Sequence, residues 1–189
     1  MNVVLLKDLS EDTAKFFMKA PNNKILEFIL SEKVVLVEGD AEYILMDTLF
    51  QKIALQKPED ARVHVISVGG TSFKRYLDLA KLLHIKTAVI RDNDSNFQAN
   101  CVDNYSEYTD DWMQVFSDKD NTRPTFEIAL YKDNSELCET LFAAGRKTLS
   151  VQDFMLQNKA DVAFELLEKR GDEIIPPDYI KEAIEWIKK

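Results

Sequence analysis

The chain has 189 residues, 46% hydrophobic and 10% aromatic, enough to bury one substantial core and too few for two domains of equal size. Five Gly and five Pro, with no low-complexity tract and no internal repeat, exclude fibrous, solenoid and disordered classes. The formal charge of −9, from 24 Lys+Arg against 33 Asp+Glu, has the wrong sign for gripping nucleic acid through a basic surface, unless bound divalent cations reverse it locally.

The apolar runs Val34–Val37 and Thr87–Ile90 are far too short to cross a bilayer, and the N-terminus lacks a basic region followed by a long apolar one. A cytoplasmic protein without a membrane partner is expected. Cys101 and Cys138 lie outside any C-x-x-C spacing, so neither a disulfide framework nor a zinc site is suggested.

In chain order, residues 1–32 read as a leader or the remnant of an upstream region, with one amphipathic stretch at Asn23–Leu30. A strand is predicted at Lys33–Val37, a helix over Ala41–Gln56, a second strand at Val63–Val68, a helix over Ser72–Leu83 and a third strand at Lys86–Ile90. Nearly continuous β-branched runs separated by amphipathic helices are the pattern of a parallel sheet covered on both faces. Gly69-Gly70 supplies a tight strand-to-helix turn, and Ser72 is placed to cap the helix that follows.

Residues 95–111 are polar and read as a long loop or a short irregular helix, and a fourth strand is expected near Met113–Phe116. Beyond it the pattern turns helical at Ser135–Ala144, Val151–Lys169 and Pro177–Lys188, punctuated by Gly145, Gly171 and Pro176-Pro177. The fold class is α/β: an open, mainly parallel four-stranded sheet flanked by helices over residues 33–131, with a C-terminal helical extension over 132–189. No G-x-x-x-x-G-K-[ST] motif occurs, so the chain holds no P-loop.

In such a sheet, chemistry collects past the C-terminal ends of the strands. Strand one ends in Glu38-Gly39-Asp40-Ala41-Glu42, and strand three in Arg91-Asp92-Asn93-Asp94. If the two strands are neighbours, Glu38, Glu42, Asp92 and Asp94 face one cleft, the last two from one side of an extended exit. Unpaired acids so gathered repel by roughly 1 kcal/mol or more per close pair, and a hard divalent cation that favours oxygen ligands removes the repulsion. Each half alone also reads as a helix-start acid favoured by the dipole or as a solvated turn.

A hydrophobic-Glu-Gly strand end followed about fifty residues later by Asp-x-Asp resembles the Toprim fold of topoisomerases, primases and certain nucleases. Val35-Leu-Val-Glu-Gly-Asp-Ala-Glu42 and Val65-Ile-Ser-Val-Gly-Gly70 look like the nuclease half of OLD (overcoming lysogenization defect) endonucleases. Asp40 departs from the Pro or small residue expected there. Pro124-Thr-Phe-Glu-Ile-Ala-Leu130 is similar to that family's later acidic motif, which singles out Glu127, with Glu136 and Glu139 as competitors; Asn158-Lys-Ala-Asp-Val-Ala163 singles out Lys159, and Ile175–Ile180 fits the closing helix.

The resemblance implies a DNA endonuclease using two Mg2+ or Mn2+ ions. Asp92, Asp94 and Glu42 would hold one ion and Glu38 and Glu127 the second, with Glu38 and Lys159 as catalytic residues and Gly39, Asp40, Ser67 and Glu136 as an outer shell. It further implies an ATPase domain or subunit in the parent protein, a homodimer or higher assembly formed through that ATPase, and a role in phage defence. Two rivals stand beside it: a phosphatase of the haloacid-dehalogenase kind, with Asp92 as nucleophile and Asp94 as acid, and a catalytically silent Toprim module that only docks partners.

Overall fold

The computed structural model describes residues 5–19, 23–70, 72–145 and 148–189, so the expected leader falls partly outside the described residues, at 1–4 and 20–22. Two helices, α1 (Glu11–Lys19) and α2 (Asn23–Ile29), precede strand β1 (Lys33–Val37). Then follow α3 (Asp40–Ala54), β2 (Val63–Ser67), α4 (Phe73–Leu83), β3 (Lys86–Ile90) and β4 (Met113–Phe116). The chain continues through α5 (Phe126–Asp133), α6 (Ser135–Phe142), α7 (Val151–Gln157), α8 (Lys159–Arg170) and α9 (Asp178–Ile187).

All the pairings are parallel and the order is β2-β1-β3-β4, so β1 and β3 are central neighbours, with Val37 opposite Ile90. This register brings the two acid-bearing strand ends to the same level of the sheet. The period-two alternation of a strand splits the core into two layers. Val35, Val37, Ala88 and Ile90 face one layer, shared with α3, α5 and the helices after it. Val34, Leu36 and Val89 face the other, built with α4, Phe17 of α1 and Phe28 of α2.

The helices beyond residue 131 pack in the same cluster as the sheet: Ile180, Ala183, Ile184 and Ile187 of α9 lie against the strand residues and are fully buried. The helix expected over Val151–Lys169 is two helices, α7 and α8, parted at Asn158, whose side-chain amide donates to the Phe154 carbonyl 2.9 Å away. That local hydrogen bond competes with continuation of the helix. Residues 95–111 hold a π turn at Gln98–Val102 and a 3-10 segment at Asp103–Tyr108 instead of an open loop. Among the described residues no helix is long and apolar enough to cross a membrane.

Candidate active site

Glu38 leaves β1 at its C-terminal end, and its carbonyl accepts from the Gly70 amide at 3.1 Å, which ties the turn after β1 to the glycine turn after β2. Gly39 stands at the N-cap of α3, where a Cβ would sit 3.3 Å from Glu42 Oε2. The bare backbone therefore leaves room for a carboxylate one turn on. Glu42, in the first turn of α3, is buried, and its carboxyl is pushed up to about 7. Burial is the main cause, followed on the raising side by the nearby charges of Glu127 and Glu38 and opposed by its own backbone amide and Lys159.

Asp92 leaves β3 beside it, and its Oδ1 accepts from the Phe126 amide at the start of α5, 2.8 Å away. Its carboxyl is pushed up to about 8, by burial first and then by Glu42, Glu38 and Glu127. Glu127 is buried in the first turn of α5, a helix whose cap, Thr125, accepts from the Ile128 amide through its side chain. Lys159, the first residue of α8, sets its ammonium 3.0 Å from Glu127 Oε2. The contact pairs charges but lies off hydrogen-bonding geometry, so Glu127 Oε2 remains buried without a hydrogen bond, as does Glu38 Oε2. Burial alone would lower Lys159, but Glu127, Asp92 and Glu42 together hold its ammonium above the ordinary lysine range.

Five of the residues singled out from sequence thus share one electrostatic centre: Glu38, Glu42, Asp92, Glu127 and Lys159. Asp94 is differently placed. It does not continue an extended exit, because Asp94 and Ser95 both adopt left-handed backbone, φ +50° and +63°, and its carboxylate pairs with Arg91 at 2.9 Å while its side chain is 54% exposed. Asp40 is exposed in the first turn of α3, and Glu136 is exposed on α6 beside Arg170 and Glu173. Neither charge is felt by Glu42 or Asp92. Ser67 is buried at the end of β2, where its carbonyl accepts from Lys24.

Two residues of the site carried no recognisable mark in the sequence. Asn93 is almost fully buried, and its amide donates to the carbonyls of Asp118, Asp120 and Arg123 at 2.8, 3.1 and 3.2 Å while its oxygen accepts from the Ser95 amide. It nails the turn that carries Asp92 to the segment beyond β4. Tyr179 of α9 is buried beneath the acids, and burial first, then Asp92 and Glu42, hold its phenol well above its ordinary range and hence neutral.

The donor set, four carboxylates with two oxygens lacking hydrogen bonds, is of the hard-oxygen kind that Mg2+ and Mn2+ favour. Among the described residues no three His, Cys, Asp or Glu side chains already converge to ion-holding distance. Binding therefore calls for side-chain rotation, which Glu38 Oε2 can make without losing a hydrogen bond, whereas Glu127 Oε2 must loosen its pairing with Lys159.

In this parallel sheet Glu38-Gly39 ends one central strand and Asp92-Asn93-Asp94 follows the other, the arrangement that resembles the Toprim fold. Residues 29–94 match the family model described as overcoming lysogenization defect protein-like, TOPRIM domain. The same fold recurs in the C-terminal region of the Burkholderia pseudomallei OLD protein, with TM-score 0.67 and 18% identity over 84% of this chain and 98% of that one. It recurs again in the C-terminal region of the Xanthomonas campestris pv. campestris OLD protein, with TM-score 0.55 and 22% identity over 87% of this chain and 94% of that one. No curated protein sequence matches the chain. Residues 29–94 thus match an OLD-like Toprim domain, and domains of that class generally bind divalent metals and act on nucleic acids.

Proposed function

We propose that this chain hydrolyses phosphodiester bonds of DNA with two divalent cations, Mg2+ or Mn2+, as the nuclease part of an OLD-type protein. The observation that carries the reading is the convergence of Glu38, Glu42, Asp92 and Glu127 at one edge of the sheet, two of them costly to ionise and two with oxygens that lack a hydrogen bond. Water would satisfy such oxygens at an open surface; at a buried edge a cation is the partner that offsets both the repulsion and the desolvation.

When bound, the cations supply a water acidified for attack and positive charge at the phosphate. Asp92, steadied by the Phe126 amide, and Glu42 offer oxygens to one ion, joined by Asp94 once it releases Arg91. Glu38 and Glu127 serve the second. Glu38 Oε2, buried and without a donor, is the acceptor available to orient the attacking water. Lys159, held charged by the surrounding acids, is placed to offset negative charge that grows on the phosphate as the bond breaks. An ATPase domain or subunit that controls assembly belongs to the same reading.

Replacing Asp92 or Glu38 with Ala should abolish Mg2+- or Mn2+-dependent nicking of supercoiled plasmid while circular dichroism and melting stay those of a folded chain. Full activity in either variant refutes the assignment. One observation favours a second reading, a silent module: among the described residues no three acids are gathered to ion-holding distance, and Lys159 already pairs with Glu127. DNA binding without cleavage in Mg2+, Mn2+ and Ca2+ alike would favour it.

A further inference from the structure

A cleft of about 760 Å³, which reaches the acid-bearing end of β3 through Arg91, is lined by Ser72, Lys74 and Arg75 of the α4 start, Arg91, and Asn104 and Tyr105 of the 3-10 segment. Its charge runs against that of the whole molecule. Lys74 donates to the neutral Asn104 side chain at 2.7 Å and stands 5.5 Å from the centre of the Tyr105 ring. Arg75 donates to the Thr13 hydroxyl at 2.9 Å. Neither cation meets a carboxylate at ion-pair distance, whereas most other Lys and Arg residues around the acid centre do.

One acid lines the cleft, Asp78, and its two oxygens are already taken by the hydroxyls of Thr13 and Tyr108, at 2.7 and 2.8 Å. Arg91 is spent on Asp94, the Asp92 carbonyl and Tyr105, and its guanidinium lies 5.6 Å from the centre of the Tyr105 ring. The floor is therefore rigid, and the unspent charge sits on Lys74 and Arg75 at its rim. In a chain of net charge −9, two cations without acidic partners, next to the acid centre, form a local attraction for anions.

We infer that this cleft binds the phosphodiester backbone of the nucleic-acid strand flanking the bond to be cut, with Lys74 and Arg75 each contacting a phosphate. The inference rests on the nuclease reading and adds to it a strand path: the backbone runs from the Lys74–Arg75 rim past Arg91 to the edge where Glu38 and Asp92 stand. The contacts are to backbone alone, so they set register and affinity without reading sequence.

The test is equilibrium binding of a labelled single-stranded oligonucleotide across a salt series, in EDTA and in Ca2+, for the full chain and for Lys74→Gln, Arg75→Gln, the double variant and Lys74→Arg. Each Gln substitution should weaken binding several-fold at low salt and lower the magnitude of the slope of log K against log salt by about 0.7, the double variant by about 1.4, while Lys74→Arg keeps the wild-type slope. Melting temperatures verify that each variant is folded. Wild-type slopes in both Gln variants, with nicking intact, overturn the cleft and leave the nuclease reading standing. Wild-type protein that neither binds nor nicks DNA overturns both. Inorganic phosphate that displaces the oligonucleotide at equal concentration would show an isolated anion site and overturn the strand path.

Discussion

Asn93 brings no charge to the acid centre, yet it decides where that charge stands. Its single amide group bridges three carbonyls of the segment after β4, and its oxygen closes the turn onto Ser95. Substitution by Ala removes these hydrogen bonds from a part-buried site, which costs on the order of 2 kcal/mol, and it frees the backbone that holds Asp92. Asn93→Ala should therefore lower the urea midpoint and also cut metal-dependent nicking, although every candidate ligand is intact; unchanged stability would show that the bridge contributes little. The flanking Asp92 and Asp94 were legible because acids after an apolar strand carry a chemical signature. The role of the residue between them was not, since its partners belong to a loop far along the chain. For the same reason the sequence placed Asp94 beside Asp92, whereas consecutive left-handed residues turn it toward Arg91.

At the scale of elements, α5 and α8 aim their first turns at the sheet edge, and each delivers one charged residue. For α5 the aim depends on Thr125, whose side chain caps the helix, and on the Phe126 amide, which donates to Asp92. Thr125→Ala should lower stability by about 1 kcal/mol, the ordinary value of a lost cap. It should also raise the metal concentration needed for half-maximal nicking, because Glu127 moves with the first turn; a stability loss with an unchanged metal requirement would separate the cap from the site. A lysine at the start of α8 opposes the helix dipole, and the charge of Glu127 across the gap offsets this. Strands β1, β3 and β4 follow the apolar runs residue for residue. The break at Asn158 was hidden, because apolar periodicity runs on through it and neither Pro nor Gly marks the spot.

Across the whole molecule, the acid centre makes stability depend on pH in a direction opposite to that of ordinary surface carboxylates. Glu42 and Asp92 take up protons more tightly when folded than when unfolded, so the folded state gains from them at low pH, and that gain is lost as pH rises through about 7 and about 8. For Glu42 the loss is on the order of 3 kcal/mol, reckoned from the height of its shift. Metal-free protein should lose stability toward each urea melt between about pH 5 and pH 8, and Mg2+ or Mn2+ should raise the melting temperature far more at the upper end, where the ligands are deprotonated. A metal effect equal at both ends would contradict this. The parallel sheet follows from the β-branched runs and crossover length, whereas the strand order that pairs the two acid-bearing ends stood in the sequence only as a condition, since runs of apolar residues do not say which strand lies beside which. The sharing of one core by the sheet and the C-terminal helices could not be read so, because helical periodicity says which face is apolar and not what it meets.

Glu127 and Lys159 lie outside residues 29–94, the stretch that matches the Toprim model, and reach the edge from the outer helical layer. The sheet and two of the five charged residues gathered at its edge are therefore supplied by separate lengths of polypeptide. A relative that retained the strands but repacked these outer helices would keep the outline of the molecule while gaining or losing chemistry. Grafting the helices onto another such sheet is accordingly the shortest route to redesigning what the edge does.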